Sequence, residues 1–185
     1  MRPPGTIGEA LLDDGPALAE APPPRPGLLD RLPPASKTAL AVSVILAAFA
    51  LPLAGQLRNQ GPPMEEGFML VFPEMVLEGK VPNRDFLHLY GPGSLWVLAG
   101  VFEVFGTSLT AERLVGLAQQ VGLVLAVFAV ARLWGRTVAL LCAAVSLLII
   151  IPPIGLTALA WVGAVAFGLW AVHLGLRSRY APDER

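Results

Sequence analysis

TVALLCAAVSLLIIIPPIGLTALAWVGAVAFGLWAVHLGL, running from Thr137 to Leu176, decides the fold. Between Arg136 and Arg177 the only titratable side chains are Cys142 and His173. A helix rises about 1.5 Å per residue and the hydrocarbon core of a bilayer is about 30 Å thick, so about 20 residues cross it once. This stretch is twice that length. Pro152-Pro153, followed by Gly155, supplies a break near its middle, and the run is expected to fold back as a hairpin.

Two further charge-free stretches lie upstream. Arg113 and Arg132 bracket Leu114–Ala131, and Lys37 and Arg58 bracket Thr38–Leu57. Four spans are therefore expected, at 38–57, 112–132, 136–152 and 156–176. The composition agrees. Charged residues make up 15% of the 185, against about 25% in a typical globular chain. Hydrophobic residues reach 55%, and the mean hydropathy is +0.64. A water-soluble domain of this size has no way to bury so much apolar surface, so lipid must cover part of it. The expected fold class is an all-α membrane protein of about four transmembrane helices. A net charge of −1 excludes a nucleic-acid binder that relies on a basic field. The lone Cys142 excludes an intrachain disulfide or a cysteine metal site.

The first span is long and begins far from Met1, which favours an uncleaved anchor over a secretory signal. Orientation follows from lysine and arginine in the short flanks. Arg31, Lys37, Arg132, Arg136, Arg177 and Arg179 all fall on one side of four crossings. That side is expected to be the cytoplasm of a cell-membrane protein, with both termini on it. Residues 1–36 form a proline-rich arm that cannot repay its ordering entropy and is expected to be disordered. Residues 37–176 form the transmembrane domain, with an extracytoplasmic loop over 58–111, and 177–185 a polar tail. Small residues recur at helical spacing in span three (Ala139, Ala143) and in span four (Ala160, Ala164, Gly168). Such rows let backbones approach closely, and helix packing is the expected role rather than a ligand groove.

The long loop carries the chemistry. Seven of the fourteen acids stand on its side of the membrane: Glu65, Glu66, Glu74, Glu78, Asp85, Glu103 and Glu112. After Pro62-Pro63 comes Met64-Glu65-Glu66-Gly67, then an amphipathic stretch from Phe68 to Leu77 that stops at Gly79. Pro73 is expected to kink that stretch or to begin its second half. Arg84-Asp85-Phe86 and Tyr90-Gly91-Pro92-Gly93 follow. Ser94–Phe105 is apolar except for Glu103 and too short to span, so it reads as a helix lying in the interface.

In this order, from Glu65 to Arg136, the segment resembles the N-terminal portion of the polyprenol-dependent membrane glycosyltransferases of GT-C fold. More narrowly, it resembles the bacterial type related to protein O-mannosyltransferases and lipid A aminoarabinose transferases. The residues that carry the likeness are Glu65-Glu66-Gly67-Phe68, Gly79, Arg84-Asp85-Phe86, Gly91-Pro92-Gly93, Arg113, and Arg132-Leu133-Trp134-Gly135. The chain departs from the pattern at Glu65, where relatives usually carry Asp, and in having fewer spans than they do.

The resemblance implies transfer of a sugar from a polyprenyl-phosphate donor to an extracytoplasmic acceptor. It implies no cofactor, since the donor is a substrate. Partners would be the bilayer, the polyprenyl-phosphate sugar and another membrane chain that completes the fold. It makes Glu65 the candidate base or acceptor-orienting residue, and Glu66 its neighbour or a ligand-binding acid. Arg84, Asp85, His88 and Tyr90 are the candidate substrate-binding residues. The plain alternatives are a solvated turn for the glutamates, a loop-fixing ion pair for Arg84-Asp85, and no acid–base role for a lone loop histidine. No cluster has metal-ligand spacing. The competing reading is a non-catalytic four-span relative that acts as a lipid-binding or assembly subunit.

Overall fold

The computed structural model describes residues 32–58 and 62–180, with the backbone alone of 150–154 and 180. Most of the proline-rich arm and residues 181–185 lie outside the described residues. Every regular element described is a helix. In chain order these are α1 (Pro34–Ala50), α2 (Leu53–Gln56), α3 (Pro63–Leu77), α4 (Gly93–Phe105), α5 (Leu109–Ala131), α6 (Arg136–Ile154) and α7 (Ala160–Tyr180). A single 3-10 turn, Arg132–Trp134, joins α5 to α6.

Among the described residues three helical segments are long and apolar enough to cross a membrane: Pro34–Gln56, Leu109–Trp134 and Ala160–Arg179. The first begins at Pro34, whose fixed φ suits a first helical turn. It breaks at Leu51-Pro52 because Pro52 has no N–H to continue the ladder, and α2 restarts on its carbonyl through Gln56 N–H. Over its described side chains α6 carries a shorter apolar stretch, Arg136–Ile149. The hairpin expected within 137–176 is present. Its connector begins at Gly155, with φ +62, and continues to Leu159 before α7 starts.

α3 opens with Pro63 and places Glu65 and Glu66 in its first turn, where the helix dipole favours carboxylates. Pro73 lies inside this helix and is buried. The C-terminus closes as a Schellman motif: Gly79, at φ +84, donates to Val76 O and Lys80 to Met75 O. α4 buries Leu95, Leu98, Ala99 and Phe102, one stripe at helical spacing, against Met69 and Val76 of α3 and Ala111 of α5. α5 is capped by Ser108, whose hydroxyl accepts from Ala111 N–H at 3.1 Å.

α5 is the central element. Val124, Phe128 and Ala131 pack with Ala41, Ile45 and Phe49 of α1 and with Ala139 and Ala143 of α6. Leu123 packs with Val162 and Ala166 of α7. Outward-facing residues such as Leu141, Leu148 and Phe167 stay exposed, Phe167 by 76%. Such an exposed apolar surface is what the high hydrophobic content of the sequence leads one to expect.

Candidate functional site

The acid pair is organised by a residue from another helix. Arg113, one turn into α5, is only 4% exposed. Its Nε donates to Glu66 Oε1 at 2.9 Å and its Nη2 to Glu66 Oε2 at 3.1 Å, a fork-on-fork pair across 47 positions of sequence. Its Nη1 donates to the carbonyl of Leu57, where the first apolar segment ends. One guanidinium thus ties together the exit of the first apolar segment, the start of α3 and the start of α5. Glu66 is buried by this pairing. Glu65, half-buried beside it, makes no ion pair or hydrogen bond among the described residues.

Glu112 holds the fourth strand of this knot. It is fully buried, and its Oε1 accepts from Ala158 N–H at 2.7 Å. The connector Leu156–Leu159 is buried but not helical, so its backbone groups need partners from elsewhere. α5 supplies them from one face at four-residue spacing. Glu112 takes Ala158, and the Gln120 side-chain amide donates to Gly155 O. Gly116 between them lets the Leu156 carbonyl approach so closely that a methyl group there would collide with it.

Arg84 and Asp85 meet each other at the loop surface instead of joining the acid pair. Arg84 Nε and Nη2 donate to Asp85 Oδ1 and Oδ2 at 3.0 and 2.8 Å, and Val81 N–H donates to Oδ2 at 2.7 Å. The Arg84 hydrogen bond, helped by Val81, holds the Asp85 carboxyl down at about 2, and Arg84 is raised in turn. Asn83, at φ +64, closes the loop by accepting from His88 N–H at 3.0 Å. His88 is buried, which lowers its pKa, and its Nε2 has no partner among the described residues.

An aromatic row crosses this region. Phe68 stacks on Phe72 and Phe72 on Phe86, each with ring centres 5.0 Å apart. His88 lies edge-on to Phe72 at 5.7 Å and to Tyr90 at 6.0 Å. Phe68 neighbours Glu65 on α3, so the row runs from the acid pair to Tyr90. Tyr90 stands at the rim of a groove of about 870 Å³ between α4, α5 and α7. Ala160 and Ala164 line this groove, although the sequence points to packing there; Ala139 and Ala143 do pack, fully buried, against α5 and α1.

The structure therefore joins Glu66 to Arg113, Arg84 to Asp85, and His88 to Tyr90. Sequence reasoning left Glu112, Gly116 and Gln120 without a role. The signal available was an acid, a glycine and an amide at four-residue steps down one face of a largely apolar helix. Among the described residues no three His, Cys, Asp or Glu side chains gather as metal ligands. No protein-family model, curated protein or solved structure matches the chain.

Proposed function

We propose that the chain is a membrane glycosyltransferase, or the N-terminal portion of one. It transfers a sugar from a polyprenyl-phosphate donor to an acceptor outside the cytoplasm. The observation that carries this reading is the buried Glu66–Arg113 pair. Two positions of the glycosyltransferase-like pattern, far apart in sequence, meet in one interaction. With Glu66 occupied by Arg113, Glu65 is left as the carboxylate able to take the acceptor's proton.

The site suits a donor whose tail stays in the bilayer, because α3 begins just after the first apolar segment ends. Tyr90, exposed at the end of the aromatic row, gives the sugar a surface to stack on, and the buried His88 holds that ring edge-on. In this reading α6 is a fourth crossing, and the arginines at both of its neighbouring cytoplasmic ends set the orientation. The acceptor proton passes to Glu65 as the acceptor oxygen bonds to the anomeric carbon and the polyprenyl phosphate departs.

The test is transfer from a labelled polyprenyl-phosphate sugar in membranes containing the chain. Glu65→Gln is expected to lower the rate by about 10²–10⁴-fold, the usual worth of a general base, with insertion unchanged. Wild-type transfer by Glu65→Gln would overturn the assignment.

One observation favours the second reading, a non-catalytic lipid-binding or assembly subunit. Lys80, Arg84 and Arg113 are each already paired with a carboxylate, namely Glu78, Asp85 and Glu66. Arg58, the fourth basic residue on this side, is exposed with no carboxylate partner among the described residues, so a departing phosphate has Arg58 alone unless it displaces one of these pairs. This reading predicts no transfer from the wild type and tolerance of substitution at Glu65.

A further inference from the structure

The groove between α4, α5 and α7 stands apart from the acid pair and calls for an occupant of its own. Its volume, about 870 Å³, lies within the range of roughly 300–1,000 Å³ typical of small-molecule sites. Small residues of two helices, Ala118 and Gly122 on α5 with Ala160 and Ala164 on α7, form its walls. Val97, Trp161 and Phe167 line it as well, and all three are exposed on the outer face of the helices. In a bilayer that face meets hydrocarbon.

Charge narrows the occupant. Among the described residues no Asp, Glu, Lys, Arg or His side chain lines the groove, so none of them would neutralise a phosphate. Polar demand narrows it further. Two lining residues keep a side-chain oxygen hidden from water with no hydrogen-bond partner among the described residues: the Ser94 hydroxyl, which can donate, and Gln119 Oε1, which can only accept. A buried hydroxyl without a partner is costly, so an uncharged acceptor placed beside Ser94 would stabilise the site. A polyprenyl phosphate carries no polar atom between its hydrocarbon and its anion. A glycerophospholipid does, since an ester joins each acyl chain to the glycerol and keeps the phosphate several atoms away.

We propose that this groove seats one acyl chain of a bilayer glycerophospholipid, with its ester carbonyl accepting from the Ser94 hydroxyl and its phosphate outside. The lipid would fill the space between α4 and the two long helices and brace α4 against them. The groove adjoins the proposed sugar surface at Tyr90 but is not lined by Glu65 or Glu66, and the lipid assignment does not depend on the transfer reading.

The test is native mass spectrometry and lipid extraction on the full chain, purified from membranes in mild detergent. One glycerophospholipid per chain is expected to survive a delipidating wash. Gly122→Leu fills the groove from a position where a new Cβ meets nothing within 4 Å. Val97→Asp instead places a charge in it from an exposed position. Each is expected to lower the retained lipid by about tenfold or more, with helicity unchanged. If Gly122→Leu does not fold, Val97→Asp alone decides. A wild type without retained lipid, retention equal to wild type in a folded variant, or a polyprenyl phosphate as the retained species would each overturn the proposal.

Discussion

Arg113 is buried together with a full positive charge, and the whole loop end is arranged around that fact. A guanidinium withdrawn from water is tolerable only when paired and hydrogen-bonded, and Glu66 with the Leu57 carbonyl meets that need. Removing one partner leaves the other charge buried alone. Glu66→Gln and Arg113→Met are each expected to destabilise the fold by about 3–5 kcal/mol. The double variant should lose much less than the sum, which a double-mutant cycle on detergent-solubilised protein would read. Additive losses would mean the pair does not act as a unit.

Two loop residues make the same region sensitive to acid. His88 is held neutral by burial, below its ordinary value, so its contribution is intact above about pH 6.5 and fades as pH falls below that. Asp85 is lowered to about 2, so its pairing persists until far more acidic conditions. Protection factors over 80–91, with the intrinsic pH dependence of amide exchange divided out, are therefore expected to fall between pH 7.5 and pH 5, and His88→Phe should abolish that change. The same loss of protection in the variant would remove His88 as the cause. Glu66 was legible in the sequence as a candidate acid, and Arg113 only as a residue that brackets a span and recurs in the resemblance. Their partnership was not, because no periodicity links positions 47 apart.

Among elements, the sequence was most legible where one local rule decides. Gly79 ends α3 as expected, and the chain turns at Gly155, but α6 stays helical through Pro152-Pro153 to Ile154, past the expected end of that span at 152. The break at Pro52 and the extended stretch after Gly155 were not legible. A hydropathy run records how apolar a segment is, not whether its backbone stays helical. The connector is stable because α5 answers its polar groups, and that depends on Gly116. Gly116→Ala drives a methyl into the Leu156 carbonyl and is expected to cost about 1–3 kcal/mol, despite alanine's better helix propensity. Gly122→Ala, whose methyl meets nothing within 4 Å, should be neutral or stabilising by up to about 1 kcal/mol. Thermal unfolding of the two variants side by side separates these outcomes. Equal effects would mean the connector does not lie on Gly116.

For the molecule as a whole, α5 and α7 run in the same direction. Successive contacts of α5 (Glu112 with Ala158, Gln119 with Gly163, Gly122 with Trp170) advance along both chains together. α6 carries the chain back antiparallel to both and packs on α5, which lies directly against α7. This order puts α3, α4 and the acid pair at one end, and the Arg132–Arg136 turn and Arg177 at the other. The proposed function needs the acid-pair end outside the cytoplasm. Cysteine labelling measures this directly, because Cys142 is the chain's only cysteine and can be removed by Cys142→Ser. Leu89→Cys sits on the exposed loop, while Leu133→Cys and Ser178→Cys mark the opposite end. On intact cells a membrane-impermeant maleimide is expected to label Leu89→Cys at once, and the other two only after the membrane is opened. Labelling of all three from outside, or of Leu133→Cys and Ser178→Cys alone, would contradict the placement of Glu65 on which the glycosyltransferase reading stands.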